Sequence, residues 1–465
     1  MFRIANHHVS LITSILLLIE FSIALASVYL GAMIRALDSA FPFSEKFENF
    51  FGTALVLASI VIFSMSALGM YQINFREGIR NTFLRLMPSL ALALILITLT
   101  FYVLPSLFLG RGVLGIVLVI TAIGILTARA LIFKTSESGL LRSRIIFLGS
   151  GSLAKECYEL ALTNTAHHEY EILGFVSVKD EICQVPATHL LSSELSLSSV
   201  AEKYHADEIV VAVQNRRGAQ FPIDDLLDCK LNGVKVIDAS AFFEREACQI
   251  RVESLQPGWL VFGDGFNQSF LRRFGKQIFD LTVSAIIFLL SSPIMLVTAM
   301  LIYIEDRGPI FYKQERVGKN GKTYMVLKFR SMGINAEKAG SPQWAANNDP
   351  RTTRVGKVIR NLRIDELPQI LNVLSGEMSF VGPRPERPFF VDQLCKEVPF
   401  YNMRHSIKPG ITGMAQVRYA YGASVEDSVQ KLQYDLYYVK NNSLFLDALI
   451  LLETVQVVLL GKGAR

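Results

Sequence analysis

The 465-residue sequence predicts a membrane protein in three parts: a four-helix transmembrane bundle, a parallel α/β domain, and a basic, turn-rich domain entered through a broken apolar run. Three observations predict it. Four apolar stretches near residues 11–33, 50–70, 86–109 and 112–133 each approach the ~20 residues that cross a bilayer core. From Arg144 the pattern turns to short β-branched runs (RIIFLG, YEILGFVSV, DEIVVAV, VKVID) alternating with helix-like segments, the first at Leu153–Leu162;. Residues 281–304 are as apolar as a span, yet FLLSSPIMLV puts Ser-Ser-Pro at their middle. With 51% apolar residues and a mean hydropathy of +0.36, an entirely soluble chain is the wrong class.

The first part covers residues 1–135. MFRIANHHVS leads straight into an apolar stretch with no small-residue cleavage site, which reads as a retained anchor. Arg76, Arg80 and Arg85 lie between the second and third stretches, and Arg129, Lys134, Arg142 and Arg144 follow the fourth. Asp38, Glu45 and Glu48 mark the first connection. The positive-inside bias then places the N-terminus and everything after residue 135 in the cytoplasm. Five cysteines, scattered and without CxxC spacing, argue against a disulfide framework or a zinc site;.

The second part, residues 144–265, reads as Rossmann-like. GSGSLA at 149–154 fits G-x-G-x-x-A between a strand and a helix, where backbone N–H groups can approach a pyrophosphate. No acidic residue closes the second strand where a ribose would need one, and tight strand-to-helix turns want glycine anyway. The domain therefore reads as structural or regulatory. The serine-rich LLSSELSLSS reads as a surface loop.

The third part covers residues 275–465. Pro293 has no N–H for the Leu289 carbonyl and crowds it, so the helix either kinks and crosses or turns back. Ser291 and Ser292 can donate to the carbonyls left unpaired, which makes a bend tolerable in lipid. Crossing would translocate the Lys- and Arg-rich residues 305–363 against the positive-inside bias. That basic stretch suits acidic headgroups, a phosphate-bearing substrate or plain solvent. At the C-terminal end, Ser424–Lys440 is amphipathic, and Leu444–Leu460 carries Asp447, Glu453 and Gln456, which fits interfacial helices over 424–461 better than a span.

The densest chemistry is VIRNLRIDELPQILNVLSGEMSFVGPRPERP, residues 358–388. Pro368 suits a first helical turn, so Asp365 falls at or near an N-cap. There it is a plain cap or, held ionised by the helix, a nucleophile, and spacing alone leaves both open. Glu366 adds a second carboxylate, and such a pair beside phosphates is a usual way to hold Mg2+. Arg360 and Arg363 lie one turn apart if their segment is helical. Arg384, fixed between Pro383 and Pro385, presents a rigid guanidinium for phosphate, or belongs to a proline-bounded surface loop.

GPIFYKQERVGKNGKTYMVLKFRSM (308–332), NNDPRTTRVGKVIRNLRIDELPQILNVLSGEMSFVGPRPERP (347–388), KPGITGMAQV (408–417) and YDLYYVKNNSLFLD (434–447) together resemble the bacterial sugar transferase family. These are the monotopic polyprenyl-phosphate phosphoglycosyl transferases that begin exopolysaccharide and O-antigen synthesis. The resemblance implies a multi-pass protein of the bacterial inner membrane with an α+β catalytic domain facing the cytoplasm. A re-entrant helix hinged at Ser292 and Pro293 would seat that domain in the lipid bilayer. It implies Asp365 as the nucleophile on a UDP-sugar, UMP as the leaving group, and undecaprenyl phosphate as the acceptor. Glu366 would complete the dyad and help hold Mg2+; Lys328, Arg330, Arg360, Arg363 and Arg384 would line the site. No nucleic acid is expected, and a homo-oligomer is compatible with the reading. The chain departs from the family after AQV, where Arg418-Tyr419-Ala420-Tyr421-Gly422 stands, so no contact is carried onto that loop.

Two other classes share these parts. A membrane-anchored nucleotide-sugar oxidoreductase or dehydratase needs a Tyr-x-x-x-Lys pair on a helix of the α/β domain, and the nearest such spacing, Tyr324 to Lys328, lies in a strand-like segment of the third part. A non-catalytic scaffold for polysaccharide assembly needs only the membrane parts.

Overall fold

The computed structural model describes residues 2–4, 7–9, 11–37, 50–68, 70–71, 78–137, 143–163, 170–178, 181–191, 196–214, 216, 221–252, 270–334, 351–419, 422 and 424–459. Asp38, Glu45, Glu48, Arg76, Arg142, residues 192–195 of the serine-rich loop, the α/β stretch 253–265, residues 347–350, and Ala420 and Tyr421 lie outside them. The chain divides into two units that meet in sequence at Cys248–Gln249.

Two three-residue strands, β1 (Phe2–Ile4) and β2 (His7–Val9), precede the first helix. Long apolar runs satisfy their backbone groups internally only as helices, and four follow: α1 (Leu11–Leu37), α2 (Phe50–Ala67), α3 (Gly78–Val103) and α4 (Arg111–Glu137). The third starts and ends earlier than its apolar run, with Pro88 inside it. Helix α1 packs on α2 and α4, and α3 on α2 and α4, around Val28, Leu57, Val61, Met65, Ile97 and Val117. A Cβ at Gly124 would stand 2.5 Å from the Ile23 side chain, so the α1–α4 approach needs glycine there. In this apolar setting Glu20 of α1 and Arg129 of α4 are buried and paired, and Arg129 also donates to the Met70 carbonyl at 3.1 Å; a charge among apolar helices requires such a partner.

The β-branched runs form a parallel sheet of β3 (Ser143–Leu148), β4 (Tyr170–Val176), β5 (Glu208–Val211) and β6 (Lys235–Asp238), in the order β4-β3-β5-β6. Helices α5 (Ser152–Thr163) and α8 (Ala239–Ala247) cover one face over Phe147, Phe175 and Phe242. Helices α6 (Leu197–Lys203) and α7 (Ile223–Leu231) cover the other over Ile146, Ile209 and Val211. Gly149 turns at φ +117°, and a Cβ there would stand 2.6 Å from the Ala212 carbonyl oxygen. The Ser150 N–H at this turn donates to the Glu181 carboxylate at 2.8 Å.

The second unit contains α9 (Phe270–Asp306), β7 (Phe311–Val317), β8 (Thr323–Phe329), α10 (Arg354–Asn361), α11 (Gln369–Leu374), β9 (Ser379–Val381), α12 (Pro388–Glu397), β10 (Gly410–Thr412), α13 (Met414–Arg418), α14 (Val425–Asn441) and α15 (Leu444–Leu459). Helix α9 carries Pro293 inside it. The Leu289 carbonyl, which Pro293 leaves without its N–H, accepts from the Ser292 hydroxyl at 2.9 Å. Ser291 instead donates to the Met295 sulfur.

One narrow stripe of α9 (Asp280, Ser284, Ser291, Met295, Thr298, Ile302) is buried, while Leu289, Leu290, Leu296 and Met300 stand exposed. The stripe's spacing keeps it on one face of a helix. Polar contacts anchor both of its ends. Asp280 accepts from the Ser379 hydroxyl and the Phe380 N–H of β9; Glu305 accepts from the Arg354 and Val355 N–H groups that open α10, and Asp306 pairs with Arg330.

The two C-terminal helices account for their own polar residues. Ser424 and Asp427 cap α14 reciprocally;. On α15, Asp447 is buried between Tyr438 and Lys276, and Glu453 pairs with Arg418. Five helices, α1 to α4 and α9, are long and apolar enough to cross a membrane. With the parallel α/β domain, they make this a membrane protein.

Candidate active site

The site is assembled where α10 ends. Arg363 takes the left-handed conformation (φ 56°), which stops the helix, and a 3-10 turn, Ile364–Glu366, follows. Ile364 and Leu367 pack inward on Met295, Ile302, Phe329 and Ile359, so the turn sits against α9 and β8. Asp365 and Glu366 lie between those two apolar anchors. Two expectations change here. Asp365 is inside the 3-10 turn and caps no helix, because α11 begins four residues later with Pro368 as its N-cap. Arg360 and Arg363 are not on one helix, because α10 ends at Asn361 and Arg363 takes the left-handed conformation.

The hairpin β7–β8 supplies the first cation. Its edge is fixed by Asn372 of α11, whose side-chain oxygen accepts from the Leu327 N–H at 3.0 Å and whose amide donates to the Met325 carbonyl at 2.8 Å. A buried amide thus continues the strand ladder sideways, and the next side chain, Lys328, reaches Glu366 Oε1 at 2.8 Å. Arg384 supplies the second, donating to the same Oε1 at 3.0 Å. Its loop is braced by the parallel pair β9–β10: the Gly382 N–H bonds Thr412 and the Gly410 N–H bonds the Pro383 carbonyl. A Cβ at Gly382 would stand 2.5 Å from the Lys408 carbonyl oxygen, so only glycine admits that crossing;.

Two further predicted cations have other bonding partners. Arg330 lies just past the end of β8, is buried, and pairs with Asp306 at the end of α9. Arg360 bonds the Thr352 hydroxyl at 3.3 Å, and its charge still acts on Asp365. Pro383 and Pro385 flank Arg384 and shape the loop through their carbonyls.

The two carboxylates are electrostatically unlike. Burial alone would raise Glu366, but Lys328 and then Arg384 hold it well below the usual carboxylate range. Asp365 is pushed up to about 6, first by burial and then by the Glu366 charge, with Lys328, Arg360 and Arg384 pulling the other way. Among the described residues Glu366 takes both ion pairs and Asp365 takes none. Environments that separate two adjacent carboxylates this way divide their roles. One is a fixed anion, and the other an available one.

Sequence reasoning missed the groups behind this arrangement. Arg316 and Asn372 lie inside the stretches 308–332 and 347–388 but nothing local singles them out there, and Arg404 and the α9 anchor Asp280 lie in none of the quoted motifs. Tyr324 and Lys328 are both on strand β8, not on a helix.

The fold and site define a membrane protein whose second unit bears a cation-clamped carboxylate pair. Residues 271–461 match the family described as bacterial sugar transferase. The chain is 44% identical over 240 residues to UDP-N-acetylgalactosamine-undecaprenyl-phosphate N-acetylgalactosaminephosphotransferase of Aeromonas hydrophila, covering 52% of this chain and 56% of that protein. It is 40% identical over 191 residues to UDP-glucose:undecaprenyl-phosphate glucose-1-phosphate transferase of Klebsiella pneumoniae, 41% of each. It is 39% identical over 376 residues to undecaprenyl-phosphate galactose phosphotransferase of Salmonella typhimurium, 71% of each. The chain belongs to the bacterial sugar transferase family. Its matches span about half the length of the first two relatives.

Proposed function

We propose that the protein transfers a sugar 1-phosphate from a UDP-sugar to undecaprenyl phosphate, releasing UMP, as the initiating step of exopolysaccharide or O-antigen synthesis. The observation that carries this is the divided dyad: Asp365, without an ion pair among the described residues, beside a Glu366 clamped by Lys328 and Arg384. Asp365 attacks the sugar-bearing phosphorus, the bond from that phosphorus to the UMP phosphate oxygen breaks, and UMP leaves. The phosphosugar stays on the Asp365 carboxylate until an oxygen of undecaprenyl phosphate attacks the same phosphorus and frees the carboxylate. The names of the relatives support the acceptor. Their sugars differ, N-acetylgalactosamine, glucose and galactose, so family membership does not fix the sugar here.

Among the described residues no three His, Cys, Asp or Glu side chains gather as a metal cage. Mg2+ does not need one, since it is commonly held by one or two carboxylates with substrate phosphates and water. Lys328 and Arg384 both take Glu366 Oε1, which leaves Oε2 with Asp365 as the protein's donors. The pair fits Mg2+, which when bound would neutralise phosphate charge. Lys328, Arg384 and Arg360 supply fixed positive charge from the protein itself.

The membrane reading is of a four-helix transmembrane bundle, α1 to α4, with α9 re-entrant at Ser292–Pro293 and the catalytic domain on the cytoplasmic face of the inner membrane. Asp280 and Asp306 would be ~39 Å apart along a straight helix. Both nevertheless bond to the same catalytic domain. A crossing helix would strand one of those polar anchors on the far side. The α/β domain is read as structural or regulatory, consistent with Glu181 occupying the glycine-turn N–H of Ser150.

The test is UMP release by full-length protein with Mg2+, a panel of UDP-sugars and undecaprenyl phosphate. Release by wild type but not by Asp365→Asn is expected. Equal release by both would remove Asp365 as nucleophile.

A further inference from the structure

The loop that carries Arg384 cannot hold itself. Pro383 and Pro385 have no N–H, so its carbonyls must find donors from other elements. Besides the Pro383 carbonyl, held by the Gly410 N–H, the next three do. The Arg384 carbonyl accepts from Arg404 Nη2 at 2.9 Å, the Pro385 carbonyl from Arg316 Nη1 at 3.1 Å, and the Glu386 carbonyl from the Val317 N–H at 2.9 Å.

Arg404 is the most enclosed of these donors, with 5% of its surface exposed. Its Nη1 donates to the Tyr401 hydroxyl at 2.6 Å, and its Nη2 lies 2.7 Å from Asp435 Oδ2, which is buried on α14. A buried ion pair is weak evidence for added stability, because desolvating both charges offsets their attraction. A planar guanidinium does fix orientation, since its donors leave in set directions. Here one of those directions is the backbone of Arg384.

The geometry points to Arg404 as a positioning residue: the Arg404–Asp435 pair sets the backbone from which the Arg384 guanidinium reaches Glu366. The inference rests on the transferase reading of the site and deepens it. Arg404 touches neither dyad carboxylate in the structure and acts through Arg384. The connection runs from α14 through Asp435, Arg404 and the Arg384 carbonyl to the Arg384 side chain, 3.0 Å from Glu366. The plain structural alternative is that the pair only fastens the 3-10 turn Tyr401–Ser406 to α14. The two roles differ in whether the loss depends on the Arg384 side chain.

The experiment is a mutant cycle on full-length protein in nanodiscs, read as UMP release and as thermal unfolding. The variants are R384Q, the charge-neutral pair R404Q/D435N, and all three changes together. Misplacing a catalytic group by ~1 Å costs up to about 100-fold, so R404Q/D435N is expected to lose about 10- to 100-fold in kcat. In the R384Q background the same pair should lose less than about twofold further, because the group it places is gone. Its effect on unfolding temperature should be the same in both backgrounds. A full multiplicative loss on top of R384Q, or an undiminished rate for R404Q/D435N, would overturn the assignment. If R404Q/D435N does not fold, R404K serves in the same cycle, since an ammonium keeps the charge but not the planar fork. A wild type that releases no UMP from any UDP-sugar would fail the transferase reading itself, and this proposal with it.

Discussion

Replacing Asp365 by Asn should abolish transfer and stabilise the protein. The Asp365 carboxyl is pushed from 3.8 to about 6, by burial first and then by the charge of Glu366. A raised carboxylate pKa means that the folded chain holds its proton more tightly than the unfolded one. Stability is therefore greatest with Asp365 protonated and falls as pH rises from about 4 through about 6. A tenfold change in proton affinity corresponds to about 1.4 kcal/mol, so the ionised carboxylate costs the native state up to about 3 kcal/mol at neutral pH. Partial exposure of the side chain makes that a ceiling. For a unit of this size, about 2–4 °C accompanies each kcal/mol; with solvent screening taking about half of the ceiling, about 1.5 kcal/mol remains, and a rise of about 3–6 °C is expected for Asp365→Asn at pH 7.5. The assay is thermal unfolding in nanodiscs at pH 7.5 and pH 5, scanned at one rate for both proteins. At pH 5 the wild type is already largely protonated there, and the difference should shrink. An unchanged or lower unfolding temperature at pH 7.5, or an equal gain at both pH values, would refute the reasoning.

The same titration sets a rate profile: wild-type turnover should be about tenfold lower at pH 5 than at pH 7 as Asp365 protonates, and a flat profile would contradict it. Lys328→Met removes a cation that lowers Asp365, so the acidic limb should move above about 6 while turnover at pH 7 falls at least about tenfold; an unmoved limb counts against the clamp. Asn372→Leu leaves the Leu327 N–H and the Met325 carbonyl unpaired beside α11, and should cost about 2–4 kcal/mol in chemical denaturation of the catalytic unit. A cysteine at Lys322, in the exposed turn of the β7–β8 hairpin, should resist a membrane-impermeant thiol reagent in intact cells and react after lysis. Labelling in intact cells would place the domain outside.

Much of the fold was legible because its signals are local. Apolar runs of spanning length and short β-branched runs need no distant partner to be recognised, and α1 to α4 and β3 to β6, the strands four to seven residues long, follow them. What escaped depended on distant partners or on single backbone angles. The resemblance puts Lys328 and Arg330 at one site, and the structure shows β8 ending at Phe329, with Lys328 on Glu366 and Arg330 on Asp306. IRNLRIDELP reads as a helix with a capping aspartate, but Arg363 in the left-handed conformation inserts a 3-10 turn and puts both carboxylates between two helices. Pro293 leaves the Leu289 carbonyl unpaired, but only the structure shows that Ser292, and not Ser291, supplies the donor. Lys328, Glu366 and Arg384 are separated by 38 and 18 positions, so only the fold could show that two of them bond one oxygen of the third.

The covalent step is the central claim, and it can be observed apart from the acceptor. Full-length protein mixed with Mg2+ and the UDP-sugar it accepts, with no undecaprenyl phosphate present, should release UMP in a single burst, and peptide mass spectrometry should find one sugar phosphate on the peptide that contains Asp365. Adding undecaprenyl phosphate should then remove the adduct. UMP release only when the acceptor is present, with no adduct on that peptide, would mean direct transfer between the two substrates and would contradict the account.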